Sequence, residues 1–303
     1  MQAKTVIVIA GPTAVGKTAL ALQLAQHFHT QIISADSRQC YREMSIGTAK
    51  PSKEELALVP HFFINSHSIH DTVNAGIFET YALEKCKEIF QNNHIAIVVG
   101  GTGLYIKAFL EGMDEMPEIP EAIREELVNQ YQQKGLVWLQ ESIQKLDPEF
   151  WQIAEQQNPQ RLLRALEIKT VTGKSIVQFR QQKTNQRSFN IIQIGLELPR
   201  TELVQNINKR VDNMIANGLL DEVAQLIPFQ HINALQTVGY QELFSYFKNE
   251  STLNFAIERI KVNTRQYAKR QMTWFKRQSN CTWFTYHPNI TEQVLHYLKQ
   301  FGL

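Results

Sequence analysis

The chain of 303 residues is 43% apolar and 20% charged, which excludes wholesale disorder and predicts one large domain or two modest ones around a buried core. No apolar run approaches the ~20 residues needed to span a bilayer, and Cys40, Cys86 and Cys281 lie too far apart for a zinc ribbon or a disulfide framework, so a soluble cytoplasmic protein with buried or half-buried thiols is expected. The net charge of +2 is unevenly spread: residues 161–187 and 255–278 each hold seven basic residues against one acid, leaving −10 on the remainder, which points either to an anionic polymer or to two solvated helix faces.

In chain order, TVIVIA (5–10) reads as a strand that runs straight into Gly11-Pro12-Thr13, not as a signal peptide with a cleavage site. A helix over 18–28, strands QIISA (31–35) and HFFIN (61–65), a helix over 78–91 and the strand HIAIVV (94–99) follow. Apolar strands alternating with helices predict a parallel sheet covered on both faces. The turn Met116-Pro117-Glu118-Ile119-Pro120 breaks that pattern, and from about 121 to 187 the text is helical and Gln-rich. IIQIGLEL (191–198) resumes the β pattern, a helical tail follows, and CTWFTY (281–286) offers a last strand. The expected fold is α/β, a P-loop core with a parallel sheet flanked by helices plus a helical insertion. Its expected bounds are 1–115 for the first part of the core, 116–188 for the insert and 189–303 for the return.

Directly after the first strand, Gly11-Pro12-Thr13-Ala14-Val15-Gly16-Lys17-Thr18 matches GxxxxGK[ST], with a strand before it and an apolar helix behind it. The glycines let backbone amides turn inward, where with the helix N-terminus they bind anionic oxygens. Lys17 adds a point charge for the terminal phosphate, and the Thr18 hydroxyl suits Mg²⁺. The motif, familiar from ATP-binding proteins, specifies phosphate or pyrophosphate and not ATP itself.

A conventional P-loop enzyme holds its metal with an Asp at the end of another apolar strand. Here HIAIVV ends in Gly100-Gly101-Thr102-Gly103, and the acid, Asp36, follows the second strand instead. Ligands of open parallel sheets bind at the carboxyl ends of the strands, so the Lys17 loop, Asp36 and Thr102 are expected to share one crevice. By spacing alone Asp36 is a metal ligand, a general base or a helix N-cap, and Thr102 is a tight-turn residue or a ligand contact. The glycines around Thr102 are expected to leave space beside it.

The blocks GPTAVGKT (11–18), DSRQCYREMSIGTAKP (36–51), VGGTGLY (99–105), NPQRLLRALEI (158–168), RVDNMIANGLLDEV (210–223), VGYQEL (238–243) and TRQYAKRQMTWFKR (264–277) occur in order along nearly the whole chain. In this combination the sequence resembles the tRNA dimethylallyltransferase family. It ends at Leu303 without the zinc-finger tail of eukaryotic members, and so is similar to the short bacterial form.

The resemblance implies transfer of the dimethylallyl group of dimethylallyl pyrophosphate to N6 of the adenosine 3′ of the anticodon, in tRNAs reading codons that begin with U, with release of pyrophosphate. It implies a cytoplasmic monomer that uses Mg²⁺, a general base at Asp36, a contact from Thr102 to the bridging oxygen of the pyrophosphate, and Arg210 on the leaving group. It further assigns tRNA contacts to Asp36, Ser37, Arg38 and Gln39, to Thr102, to Arg124, and to Gln160, Arg161, Leu162, Leu163 and Arg164. In the tail, Arg259, Arg270 and Arg277 fall within about 20° of one another at ~100° per residue, which predicts one basic and one buried helix face. The Trp and Tyr of that helix are expected to pack in the core. Two other classes stay open: a P-loop kinase of a small metabolite, and a non-catalytic RNA-binding module.

Overall fold

A computed structural model describes residues 3–180, 185–278 and 280–303. The chain divides into two units, Met1–Gly112 with Asn185–Leu303, and Met113–Thr184. Strands β1 (Thr5–Ala10), β2 (Ile32–Ala35), β3 (His61–Phe62), β4 (Ile95–Gly100), β5 (Asn190–Glu197) and β6 (Thr282–Thr285) form one sheet of the larger unit. Helices α1 (Lys17–His27), α2 (Lys53–Leu58), α3 (Ala75–Asn92) and α4 (Gly103–Glu111) also belong to it. α5 (Glu121–Leu146), α6 (Pro148–Ile153), α7 (Pro159–Thr172) and α8 (Ile176–Phe179) make up the smaller unit. α9 (Arg200–Ala216), α10 (Leu219–Leu226), α11 (Tyr240–Phe247), α12 (Leu253–Gln278) and α13 (Ile290–Leu298) return to the larger.

The sheet is parallel throughout, in the order β3-β2-β4-β1-β5-β6. β1 and β4 are buried along their whole length, as central parallel strands must be when helices cover both faces. Side chains alternate across the sheet. Val6 and Val8 join a core with Phe78, Phe109, Leu243 and Phe275, while Ile7 and Ile9 join one with Leu20, Leu24, Ile290 and Leu298. Each such side chain contributes roughly 1.5–3 kcal/mol when fully buried. The register sets Gly100 beside both Ala10 and Ala35, so the turns leaving β1, β2 and β4 emerge side by side.

β3 stops after two residues, short of the expected 61–65, because Phe63 (φ 61°) and Asn65 (φ 53°) turn left-handed. The turn carries Phe63 into the core, fully buried. α2 is a helix that the periodicity did not predict; none of its residues is buried, and its start is set by the reciprocal Ser52–Glu55 capping box.

The smaller unit is helical. Leu127, Leu139, Ile143, Phe150, Leu162 and Leu166 form its core. Gly135, at φ 76°, interrupts α5 with a kink, and Asn158 caps α7 by accepting from the Arg161 amide at 3.3 Å, with Pro159 in the first turn.

Several of the basic residues counted above are internal fasteners. Arg187 is 9% exposed at its side chain, pairs with Glu79 at 2.7 Å and donates to the carbonyls of Ala108 and Phe109. Lys261 pairs with Asp212, and Lys276 with Glu197 over the Trp283 ring. Lys183 lies outside the described residues. Arg259, Arg270 and Arg277 are exposed, as a solvated basic face requires.

Candidate active site

The turn after β1 has a backbone that only glycine can follow at two positions. Gly11 sits at φ 153°, and a Cβ there would lie 2.6 Å from the Leu196 carbonyl oxygen; at Gly16, φ 102°, it would lie 2.3 Å from the Tyr286 ring. Neither position tolerates a side chain. Ala14 takes a further left-handed turn at φ 63°. α1 begins at Lys17 behind this glycine without a side-chain cap, so its first-turn amides remain available to an anion. Pro12 and Val15 are buried and add backbone alone, while Thr18 is half-buried in the first turn.

Three charges act on one another here. The Lys17 Nζ donates to the Pro12 carbonyl at 2.6 Å. Burial, and after it the Arg210 guanidinium, lowers the Lys17 pKa to about 7, with Asp36 opposing. Arg210 projects from α9, donates to Thr13 Oγ1 at 3.1 Å, and is itself lowered by burial against the pull of Asp36. Asn206, one turn earlier, donates to the Ala14 carbonyl at 3.3 Å. Arg210, and a Lys17 that an incoming anion recharges, face a single carboxylate, an arrangement suited to an oligoanion.

Asp36 is not the helix N-cap that spacing allowed, because a turn and not a helix follows β2. Its Oδ1 holds that turn by accepting from the amides of Arg38 (2.9 Å) and Gln39 (3.3 Å), whereas Oδ2 takes no hydrogen bond among the described residues. Thr102 Oγ1 accepts from the Ser37 amide at 3.0 Å and lies 3.4 Å from Ser37 Oγ. Since Thr102 does not cap α4 with its side chain, that helix presents a second uncapped N-terminus.

The loop carrying Asp36 is braced from outside. Glu222 accepts from the amides of Ser45, Ile46 and Gly47 at 2.7–2.9 Å and from the Tyr240 hydroxyl at 2.6 Å. This joins three of the sequence blocks into one assembly. Arg38 reaches the Asn233 carbonyl at 3.3 Å and stays partly open. The Gln39 amide is engaged within its own loop: its Nε2 donates to the carbonyls of Thr48 and Ala49 and its Oε1 accepts from Ser34.

Space beside Thr102 is also less than expected. A Cβ on Gly100 would meet the Ala35 carbonyl at 2.1 Å, one on Gly101 would meet Gln271 at 2.4 Å, and one on Gly103 would meet the Trp274 ring at 2.5 Å. The glycines admit neighbours already in place. At Gly100 no carboxylate of the conventional metal-binding kind can be accommodated.

Residues Arg124 and Gln160–Arg164 lie in the smaller unit. Gln160 and Arg161 are exposed, Arg161 pairing with Glu155 at 2.8 Å. Arg164 (3.0 Å) and Arg124 (3.5 Å) are counter-ions of the buried Glu167. Leu163 is half-buried, and Leu162, fully buried, packs in the core of its unit, so its side chain is withheld from RNA. The expectation for the tail aromatics divides: Trp274 is half-buried against Gly103, but Tyr267 is 38% exposed with the Arg270 guanidinium over its ring. Its hydroxyl nonetheless turns inward, where burial and then the Asp36 charge push its pKa up to about 12.

Gln271 is the residue that motif reading passed over. It is 7% exposed, accepts from the Thr13 amide at 2.9 Å and donates to the Gly101 carbonyl at 2.8 Å. The available signal was an amide three residues after buried Ala268 and four before buried Phe275, on the apolar arc of α12.

Residues 39–278 match the family model described as IPP transferase. The chain is 48% identical to a tRNA dimethylallyltransferase of Christiangramia forsetii over 96% of each sequence. Among solved structures, it resembles a full-length tRNA isopentenylpyrophosphate transferase of Bacillus halodurans, 34% identical, with a TM-score of 0.72 over 98% of this chain and 96% of that one. A eukaryotic dimethylallyltransferase acting on tRNA matches at 27% identity and a TM-score of 0.79, over 98% of this chain and 79% of the other.

Proposed function

The chain belongs to the IPP transferase family, and on that premise we propose that it transfers the dimethylallyl group of dimethylallyl pyrophosphate to N6 of the adenosine 3′ of the anticodon, in tRNAs reading codons that begin with U. The observation that carries this reading is the meeting of the Lys17 loop, Asp36 and Thr102 at adjacent strand ends, with no room for a strand-end carboxylate at Gly100. A conventional P-loop kinase carries that carboxylate; a leaving pyrophosphate needs cations and amides.

In the proposed reaction the allylic C–O bond breaks, its electron pair leaves with the pyrophosphate, and N6 forms the new bond to carbon. The uncapped amides of α1, Lys17 and Arg210 receive the developing negative charge. Bond formation acidifies the amino group, and its proton passes to the open Oδ2 of Asp36. Oδ1, bonded to the amides of Arg38 and Gln39, holds that carboxylate in orientation. Thr102 and Ser37 set the turn between the two substrates, and Gln160, Arg161 and Arg38 contact the RNA. The adenosine must leave its stack to reach N6, a smaller cost in a loop than in a duplex.

Magnesium fits the donors present. Among the described residues no group of three His, Cys, Asp or Glu forms a metal cage. Mg²⁺ does not require one, since it is typically held by few protein ligands together with substrate phosphates. Thr18 would supply the protein hydroxyl, and the bound ion would neutralise charge on the leaving pyrophosphate. The protein is proposed to act as a cytoplasmic monomer; no helix among the described residues is long and apolar enough to cross a membrane.

Incubation with dimethylallyl pyrophosphate, Mg²⁺ and tRNA, followed by nucleoside analysis, tests the assignment. Prenylated adenosine is expected, with ATP acting at most as a weak competitor. ATP-dependent phosphorylation of a small acceptor without any prenylated adenosine would overturn it.

A further inference from the structure

The phosphate loop and the Thr102 turn leave neighbouring strands, yet strand pairing ends at Ala10 and Gly100. Beyond those residues something else must set their separation. Among the described residues, Gln271 is the one side chain hydrogen-bonded to both: its Oε1 accepts from the Thr13 amide and its Nε2 donates to the Gly101 carbonyl. Gln271 is 7% exposed, stands between buried Ala268 and buried Phe275 on its helix, and also meets the Tyr267 hydroxyl one turn earlier. A buried amide with both ends satisfied by backbone from two separate turns has one orientation and one length. Gly101 is adapted to it, since any side chain there would collide with Nε2.

We propose that Gln271 is a positioning residue, a strut that fixes the distance between the pyrophosphate cradle and the Thr102–Ser37–Asp36 side of the site. This rests on the functional reading above and assigns to that reaction a residue that touches neither substrate. Prenyl transfer requires the allylic carbon and N6 to be held at near-attack distance, and a displacement of about 1 Å costs about 100-fold in such reactions. The cradle would still bind pyrophosphate without the strut, so the loss belongs in turnover and not in affinity.

The test is a pair of variants of the full chain, assayed with tRNA and dimethylallyl pyrophosphate. Gln271→Met keeps the volume and removes both bonds. It is expected to lower kcat roughly 30–100-fold, with pyrophosphate affinity and the KM for tRNA within about threefold of wild type. Gln271→Glu, when ionised, keeps the bond from Thr13 but sets an oxygen against the Gly101 carbonyl. Protonation restores a donor there, so the ratio of variant to wild-type kcat is expected to climb as pH falls, a recovery that Gln271→Met does not share. Gly101→Ala, which pushes on the same strut, is expected to be non-additive with Gln271→Met. Wild-type kcat in Gln271→Met overturns the proposal, as does a loss of kcat accompanied by equal losses of pyrophosphate affinity and thermal stability. Should wild type itself fail to prenylate tRNA, the functional reading falls. The strut is then judged by hydrogen exchange at the Thr13 amide: protection in wild type that Gln271→Met abolishes supports it, and rapid exchange in wild type overturns it.

Discussion

Lys17 allows the proposed pyrophosphate cradle to be tested by counting protons. Its ammonium ordinarily titrates near 10.5 and here, through burial and the neighbouring Arg210, near about 7. At about pH 8 roughly a tenth of the empty molecules therefore carry the charge, and at about pH 9 roughly a hundredth. A bound pyrophosphate brings negative charge against Nζ and favours the charged form, so binding takes up a proton. Below about pH 7 Lys17 is already charged and affinity is expected to be flat. Above it, each pH unit is expected to weaken binding about tenfold, equivalent to ~1.4 kcal/mol, until the pKa of the complex is reached. The same depression means the unfolded chain holds a proton that the folded chain lacks between about 7 and 10.5, so stability of the empty protein is expected to rise with pH across that window. Calorimetry with an unreactive dimethylallyl analogue, in two buffers of different ionisation enthalpy, reads proton uptake directly. Uptake approaching about one per site near pH 8 to 9 is expected, and Lys17→Arg, which stays charged, is expected to lose the slope. Equal wild-type affinity at pH 7 and pH 9 with no proton uptake would refute a largely neutral Lys17 in the empty loop.

Asp36→Asn retains the oxygen bonded to the Arg38 and Gln39 amides but removes the proposed proton acceptor, so turnover is expected to fall by roughly two to four orders of magnitude while tRNA binding holds; an unchanged rate in single-turnover assays would leave Asp36 as a turn-former alone. Thr102→Ala removes the acceptor for the Ser37 amide and is expected to cost ~1–2 kcal/mol in kcat/KM. Arg164→Ala strips the buried Glu167 of a partner and is expected to lower thermal stability by roughly 1–3 kcal/mol. Arg161→Ala, on an exposed pair, should instead weaken tRNA binding and flatten its salt dependence by about one unit, and a drop in melting temperature with an unmoved salt slope would reverse that assignment. Glu222→Ala leaves three amides and the Tyr240 hydroxyl without their acceptor, and is expected to loosen residues 45–47, seen as accelerated hydrogen exchange there and a reduced kcat.

The local physics of this chain was legible residue by residue. The apolar β-branched run at 5–10 read as a parallel strand and is one, and glycines at 11 and 16 ahead of Lys17 and Thr18 marked a backbone that no side chain allows, because conformational preference and burial act over a few neighbouring residues. That Asp36 and Thr102 share the crevice followed from one topological rule about strand ends. What tertiary structure alone decided is who occupies which hydrogen bond. Gln39 and Gln271 are the same side chain with the same donors and acceptors. One folds its own loop and the other joins two turns, 258 residues separating Gln271 from Thr13, and no spacing in the text distinguishes them. Arg161 and Arg164 stand one turn apart with identical charge, yet the latter answers a carboxylate buried in its unit and the former meets solvent. Glycines at 101 and 103 read as open space until Gln271 and Trp274 filled it. Such outcomes depend on which distant atom satisfies a buried polar group or occupies a void, and only packing in three dimensions brings those atoms together.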